Sequence, residues 1–393
     1  MTLDFFRKKR AYLDWASAAP VHPAAQDAFA HATATFGNPS SAHEEGRAAR
    51  AILESARTDI ARLAGVKARA VVFTSGATEA NALAIQGRIR ACLEGGMTYK
   101  DMHVLYVPTM HTSVIETLHE FQKKGVQIEE ISLIDRSIDL ANLETRLRSE
   151  TILVCADGVC GETGIRYDTL RIKRLLEAHS NAPHAVLHVD ASQLGLSEQI
   201  ECTRLGADLM TLDAQKVGGV RGIGALIIPH QTLIKPITFG GGQEAGLRPG
   251  TEPVALAAAF AAALTARAHG YKHFVETAQK QRTELISSIT KFIPNVHITE
   301  GKRQTPHILN ISLPGLDTDY AVTLLDTDGF AVSTKSACET DSADGSRAVW
   351  AHTKDHNLAT STLRISWGPE TRPADLKRFV PTLKEITTFL QNS

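Results

Sequence analysis

The sequence predicts an α/β protein built around a mostly parallel sheet, and three observations carry that expectation. Short apolar runs recur along the first two thirds of the chain: AVVF, HVLYV, TILVCA, AVLHV, DLMTL and GALII. Helical segments, such as 112–124 and 168–179, separate most of them. The runs are apolar throughout instead of alternating, which is how strands covered on both faces read.

The first long helical pattern is SAHEEGRAARAILESARTDIARLAG. It sets Ser41 and Glu44 at capping-box spacing and carries an Ala48, Ile52, Ala56, Ile60, Leu63 stripe. Gly65 is its expected stop. The strand and helix alternation then runs to GALII. VALAAAFAAAL (254–264) is well short of the roughly 20 residues a membrane helix needs and reads as a buried helix. Residues 270–393 change grammar: a long helix, HILNISL, a helix near 317–328, FAV, TLRISW and a C-terminal helix. That is a second, smaller α/β layer. No repeat or low-complexity linker interrupts the chain.

The chain has 393 residues, enough for about two domains. Hydrophobic content of 43% and charged content of 22% are those of an ordinary globular protein. A formal net charge of −1 gives bulk electrostatics no means of holding nucleic acid or a membrane surface. The basic FFRKKR stretch has no apolar segment of a signal peptide behind it. Five cysteines, Cys92, Cys155, Cys160, Cys202 and Cys338, form no C-x-x-C pair, and an odd number suits reduced thiols in the cytoplasm better than a disulfide framework. No metal is expected.

Ligands of such sheets collect at the carboxyl ends of the strands. Three stretches there carry chemistry. In TSGATEAN (74–81), Gly76 allows close backbone approach, and Ala77 and Thr78 open a helix. This is either a simple cap or an anion cradle built from amides and a helix dipole. In HVDASQ (188–193), Asp190 follows a buried strand, as a helix cap or as an anion that keeps a heteroaromatic nitrogen protonated. In LDAQKVGGV (212–220), Lys216 is a snorkelling surface residue, a phosphate counter-charge or an amine held for covalent chemistry. A phosphate cradle, a buried aspartate and a lysine, all at strand ends of one sheet, are together what pyridoxal phosphate requires.

These motifs, with FGNPSSAH (36–43), GGGQEAGLRPGT (240–251), STKSAC (333–338) and LRISWG (363–368), resemble the NifS/IscS-type cysteine desulfurases of the class V aminotransferase group, over essentially the whole chain. The 26-residue separation of Asp190 and Lys216 matches that family. The resemblance implies a fold-type I pyridoxal-phosphate enzyme with a mostly parallel seven-stranded sheet. Its large domain would span 15–260, and its small domain 1–14 and 261–393.

The resemblance also implies roles. Lys216 would bond the cofactor covalently and shuttle a proton, Asp190 would pair with the pyridine nitrogen, and His111 would stack on the ring and assist proton transfer. Gln193 would bond the phenolic oxygen, with Gly76, Ala77, Thr78 and Gln215 also at the cofactor. Thr251 would complete the phosphate site of a second subunit in a homodimer. Arg364 and Asn38 would bind the substrate, L-cysteine. Cys338, in the polar stretch STKSACETDSADGSRAVW, would take its sulfur as a persulfide, release L-alanine and pass the sulfur to an acceptor protein, such as an iron–sulfur scaffold or a tRNA-thiolation protein. Lys335 favours a Cys338 thiolate, and Glu339 and Asp341 oppose it.

Three stretches depart from the family pattern. Asp213-Ala214-Gln215-Lys216 stands where Ser-x-His-Lys is usual, so a carboxylate faces the phosphate site. Cys160-Gly161-Glu162 replaces Asn-Asn-Glu, and WASAAP replaces a segment with Asn and Thr-Thr. The alternatives are a selenocysteine lyase or other class V enzyme, and a degenerate homologue serving as a binding scaffold.

Overall fold

Seven strands form the main sheet, six of them at the apolar runs of the sequence. In the computed structural model, which describes residues 10–230, 232–334 and 345–392, these are β1 (Val71–Thr74), β2 (His103–Tyr106), β3 (Gln127–Glu130), β4 (Thr151–Asp157), β5 (Val186–Asp190), β6 (Leu209–Asp213) and β7 (Gly224–Ile227). Their spatial order is β1-β7-β6-β5-β4-β2-β3. β7 runs antiparallel to both its neighbours, and every other pairing is parallel. β1, β2, β4, β6 and β7 are buried at every residue. Each fully buried Val, Leu, Ile or Phe in them contributes about 1.5–3 kcal/mol. β3, with the sequence QIEE, is the strand the apolar pattern does not reveal: it lies at the sheet edge, where polar side chains are tolerated.

The chain divides into two units. One comprises Ala19–Val159 and Tyr167–Gly270 and contains the seven-stranded sheet. Its helices include α1 (Glu44–Ala64), α2 (Ala77–Glu94), α3 (Thr112–Lys123) and α4 (Thr169–Ala178). α1 corrects two expectations. Its cap is His43, whose Nδ1 accepts from the Gly46 N–H at 3.2 Å, in place of Ser41. Its buried face is Ala49, Leu53, Ala56, Ile60 and Ala64, so the stripe is turned and Ala48 is exposed. Gly65 does end the helix, in the left-handed conformation with φ 69°.

The other unit comprises Cys160–Arg166 with the described parts of Met1–Ala18 and Tyr271–Ser393. Its three-stranded antiparallel sheet joins β8 (His297–Ile298), β9 (Ile308–Ser312) and β10 (Thr362–Ser366) in that order. The helices Thr318–Thr327 and Pro373–Gln391 fall where the sequence places them. The alanine-rich helix and the long helix expected after residue 270 are one 39-residue helix, Val254–Phe292, whose residues up to Gly270 belong to the first unit. No helix among the described residues is long and apolar enough to cross a membrane.

Candidate active site

The phosphate-cradle motif occupies the turn from β1 into α2. β1 stops at Ser75-Gly76, and Gly76 adopts φ 153°, ψ −179°, a region closed to side chains. A Cβ there would meet nothing within 4 Å, so the backbone of this helix start is open to a ligand. Gly224 of β7 makes the turn possible from behind, because a Cβ on it would come within 2.7 Å of the Gly76 carbonyl carbon. Ala77 is half-buried and Thr78 is exposed. The Ser75 N–H donates to Glu79 Oε2 at 2.5 Å, and Arg248 pairs with Glu79 at 3.1 Å. Burial would raise the Glu79 pKa, but the Ser75 hydrogen bonds and Arg248 outweigh it and hold the carboxyl low.

Asp190 ends β5, with 9% of its surface exposed. Its Oδ1 accepts from the Ser192 N–H at 3.0 Å and its Oδ2 from Asn81 Nδ2 at 2.9 Å. Asn81 lies on the first turns of α2 and is fully buried. Behind Asp190, burial pushes the His188 imidazole down to about 4, against the pull of the aspartate. Gln193 is half-buried in the turn after β5. His111 caps α3, its Nδ1 accepting from the Ser113 N–H at 3.1 Å.

Asp213 ends β6 in register with Gly224, which also faces Thr74 of β1. The sheet therefore brings Asp213 beside the cradle. Its Oδ1 accepts from the Gln215 N–H at 3.0 Å, and its Oδ2 from Gln215 Nε2 at 3.3 Å and from the cradle amide of Ala77 at 3.4 Å. Lys216 closes the short 3-10 turn that follows and is half-buried. Burial pushes the Asp213 pKa up, although Lys216 and the bonds from Gln215 and Ala77 act against it. The Asp213 carboxyl thus occupies an amide of the open helix start.

The GGGQEAGLRPGT segment is fastened to β1. Glu244 and Ala245 both take left-handed backbone conformations, φ 50° and 56°, which cost about 1–3 kcal/mol each in residues other than glycine. The Glu244 carboxylate offsets this by accepting from Arg57 Nη1 and Nη2, both at 2.7 Å, and from the Phe73 N–H at 2.8 Å. Burial alone would lower the Arg57 pKa, but Glu244 and Glu54 raise it. Glu244→Ala leaves this arginine buried without its main partner and is expected to destabilise the fold by about 3–5 kcal/mol in urea unfolding. A loss under about 1 kcal/mol would show that the pair is not needed. Thr251, at the end of the segment, is exposed. Asn38 is exposed too, with its Oδ1 accepting from the Ser40 N–H at 2.9 Å, so its side chain is engaged in its own turn.

In the second unit Arg364 lies on β10 and is 4% exposed. Its Nη1 donates to the Gly161 carbonyl at 3.0 Å, and its Nη2 to Asp14 Oδ1 at 2.9 Å and to the Ser17 hydroxyl. Gly161, placed where the family has asparagine, thus uses its backbone to orient the guanidinium. Nε of Arg364 is buried with no hydrogen-bond partner among the described residues. Cys338, Lys335, Glu339 and Asp341 lie outside the described residues.

Strand-end reasoning finds Asp190, Asp213 and Lys216 but misses Asn81, Ser113, Asp14 and Ser17. Asn81 had a signal, since an asparagine on a buried helix face requires partners. Ser113, Asp14 and Ser17 had none.

A family model described as Aminotransferase class-V matches residues 11–379. A cysteine desulfurase IscS 1 of Archaeoglobus fulgidus is 30% identical over 384 residues, covering 97% of this chain and 98% of its own. Among solved structures, a NifS-like protein superposes with a TM-score of 0.89 at 26% identity, covering 97% of this chain and 100% of its own. A structure described as SspA in complex with cysteine gives 0.76 at 26% identity, covering 92% and 100%.

Proposed function

Because the chain belongs to the class-V aminotransferase family, in its NifS/IscS-like cysteine desulfurase group, we propose that it converts L-cysteine to L-alanine with pyridoxal phosphate and passes the sulfur on through Cys338. The observation that carries this reading is the constellation at the carboxyl end of the main sheet: the open helix start at Gly76, the buried Asp190 carboxylate and Lys216 after β6. The cysteine held by the SspA structure supports the choice of substrate.

The residues present fit the cofactor. The α2 amides and dipole suit a phosphate, Asp190 suits a protonated pyridine nitrogen, and Lys216 supplies the amine. Two buried polar atoms beside Asp190, Asn81 Oδ1 and Ser192 Oγ, have no hydrogen-bond partner among the described residues, as expected where a polar ligand completes the set.

When bound, pyridoxal phosphate supplies an electron sink conjugated to the substrate amine. Gly76, Ala77 and Thr78 hold its phosphate, with Gln215 alongside, while Gln193 donates to its phenolic oxygen and His111 stacks on its ring. Arg364 grips the substrate carboxylate, aided by Asn38. Lys216 moves the proton at the substrate Cα. The Cys338 thiolate attacks the substrate sulfur, so an S–S bond forms as the substrate C–S bond breaks. The freed carbon is protonated to give L-alanine, and the persulfide passes its outer sulfur to an acceptor protein, for which an iron–sulfur scaffold or a tRNA-thiolation protein has the required chemistry. The reaction needs reduced Cys338, which suits a reducing compartment such as the cytoplasm.

Thr251 is exposed and is assigned to the phosphate of a second copy, making the active form a homodimer. Sedimentation of the holoenzyme is expected to give a dimer, and a fully active monomer would contradict this.

Asp213→Ser is expected to tighten cofactor binding, because it frees the Ala77 amide and removes a carboxyl from the phosphate site. Two unit charges about 4 Å apart at an effective dielectric near 20 repel by roughly 4 kcal/mol, an upper bound that the raised Asp213 pKa reduces. Spectrophotometric titration of the apoprotein with pyridoxal phosphate measures it. Unchanged or weaker affinity would show that Asp213 does not oppose the phosphate.

The function itself is tested by the visible absorption of the purified protein, followed by assays of alanine and sulfide from L-cysteine. A cofactor band with both products supports it, and no turnover of a cofactor-loaded protein contradicts it.

A further inference from the structure

A continuous chain of hydrogen bonds joins the two groups assigned to the cofactor ring, Asp190 at its nitrogen and His111 stacked on it. Asn81 Nδ2 donates to Asp190 Oδ2 at 2.9 Å and to Ser113 Oγ at 3.0 Å. Ser113 Oγ lies 2.9 Å from His111 Nδ1, and the Ser113 backbone N–H donates to the same nitrogen at 3.1 Å. The donors in this chain can be assigned by elimination. A carboxylate only accepts, so Asn81 must turn its NH₂ group toward Asp190, and its second hydrogen serves Ser113. A backbone N–H only donates, so His111 Nδ1 must be an acceptor. Because Nδ1 accepts, the Ser113 O–H must be the donor in the Oγ–Nδ1 contact, and it shares the single Nδ1 lone pair with the Ser113 N–H as a three-centre bond.

An imidazole whose Nδ1 accepts carries its proton on Nε2. From this geometry we propose that Asn81 and Ser113 are positioning residues that tie His111 to Asp190 and lock its ring in the neutral Nε2–H form. Resting on the pyridoxal-phosphate reading, the consequence is specific: His111 presents a hydrogen-bond donor at Nε2, and its one lone pair, on Nδ1, is engaged by Ser113. An added proton would have to reside on Nδ1, where it would face the Ser113 N–H and break the α3 cap. Asn81 has no lone-pair nitrogen or hydroxyl through which a proton could pass, so the chain orients and does not relay. The substrate Cα proton is therefore handled by Lys216 alone, and His111 contributes stacking and a fixed N–H.

Neutron diffraction from deuterium-exchanged crystals of the holoenzyme reads this directly. A deuteron on Nε2 of His111 and none on Nδ1, with the Ser113 hydroxyl deuteron directed at Nδ1, is expected. A deuteron on Nδ1 overturns the proposal. Kinetics provide the second reading. Ser113→Ala removes one link but keeps the backbone cap, and should lower kcat by about 2- to 10-fold, the worth of one neutral hydrogen bond, with KM for L-cysteine unchanged. Ser113→Thr, which keeps the hydroxyl, should restore it. A Ser113→Ala enzyme indistinguishable from wild type, or one whose KM alone changes, also overturns the proposal. Failure of the wild-type protein to bind pyridoxal phosphate would instead overturn the function reading, and the hydrogen positions at His111 could still be read without the cofactor.

Discussion

Lys216→Ala is expected to abolish the visible absorption of bound cofactor and to reduce turnover of L-cysteine by at least about 10⁴-fold. The lysine is half-buried at the end of the short turn that Asp213 caps, so its backbone position is set by Asp213 and Gln215. It has two tasks in the proposed reaction: holding the cofactor covalently and moving the proton at the substrate carbon. No described neighbour at that end of the sheet can take over either one. Asp190 is engaged by Asn81 and Ser192, and His111 is held with Nδ1 as an acceptor. Absorption spectra and alanine release, measured on wild type and variant side by side, check the result. A Lys216→Ala protein that keeps both the band and the activity would end the pyridoxal-phosphate reading.

Cys338→Ser has an equally large effect on turnover with a different signature. It leaves Lys216, Asp190 and Arg364 in place, so the cofactor band and its spectral response to L-cysteine should persist. Alanine formation should fall by at least about 10³-fold, because a serine hydroxyl near neutral pH is a far weaker nucleophile than even a few per cent of thiolate. The alternatives behave otherwise. A binding scaffold would show no turnover in either form, and a lyase that acts on selenocysteine without a protein thiol would keep releasing selenium from the variant.

What could be read in advance followed from local physics. Strands buried on both faces announce themselves as apolar runs, so β1, β2, β4, β5, β6 and β7 are visible in the sequence, whereas β3, at an edge, reads QIEE and is not. Strand-end positions follow from the strands, which is why Asp190, Asp213 and Lys216 could be named. Partners were less legible. The α1 cap passed from Ser41 to His43 because an imidazole Nδ1 can satisfy a helix amide as a hydroxyl does, and composition rules favour the hydroxyl. The buried face of α1 turned because one residue of register decides whether Ala48 or Ala49 points inward. The links from Asn81 to Asp190 and to Ser113 join residues 109 and 32 positions apart, and those from Arg364 to Asp14 and Ser17 span 350 and 347. Such contacts exist only once the chain is folded, so no spacing rule exposes them.

The central claim is that sulfur leaves the substrate by transfer to Cys338. Mass spectrometry of the wild-type protein after brief exposure to L-cysteine, digested without reductant, tests it most directly. One added sulfur atom on the peptide containing Cys338, absent from the Cys338→Ser protein, is the predicted result. Continued alanine production with no sulfur adduct on that peptide would contradict it.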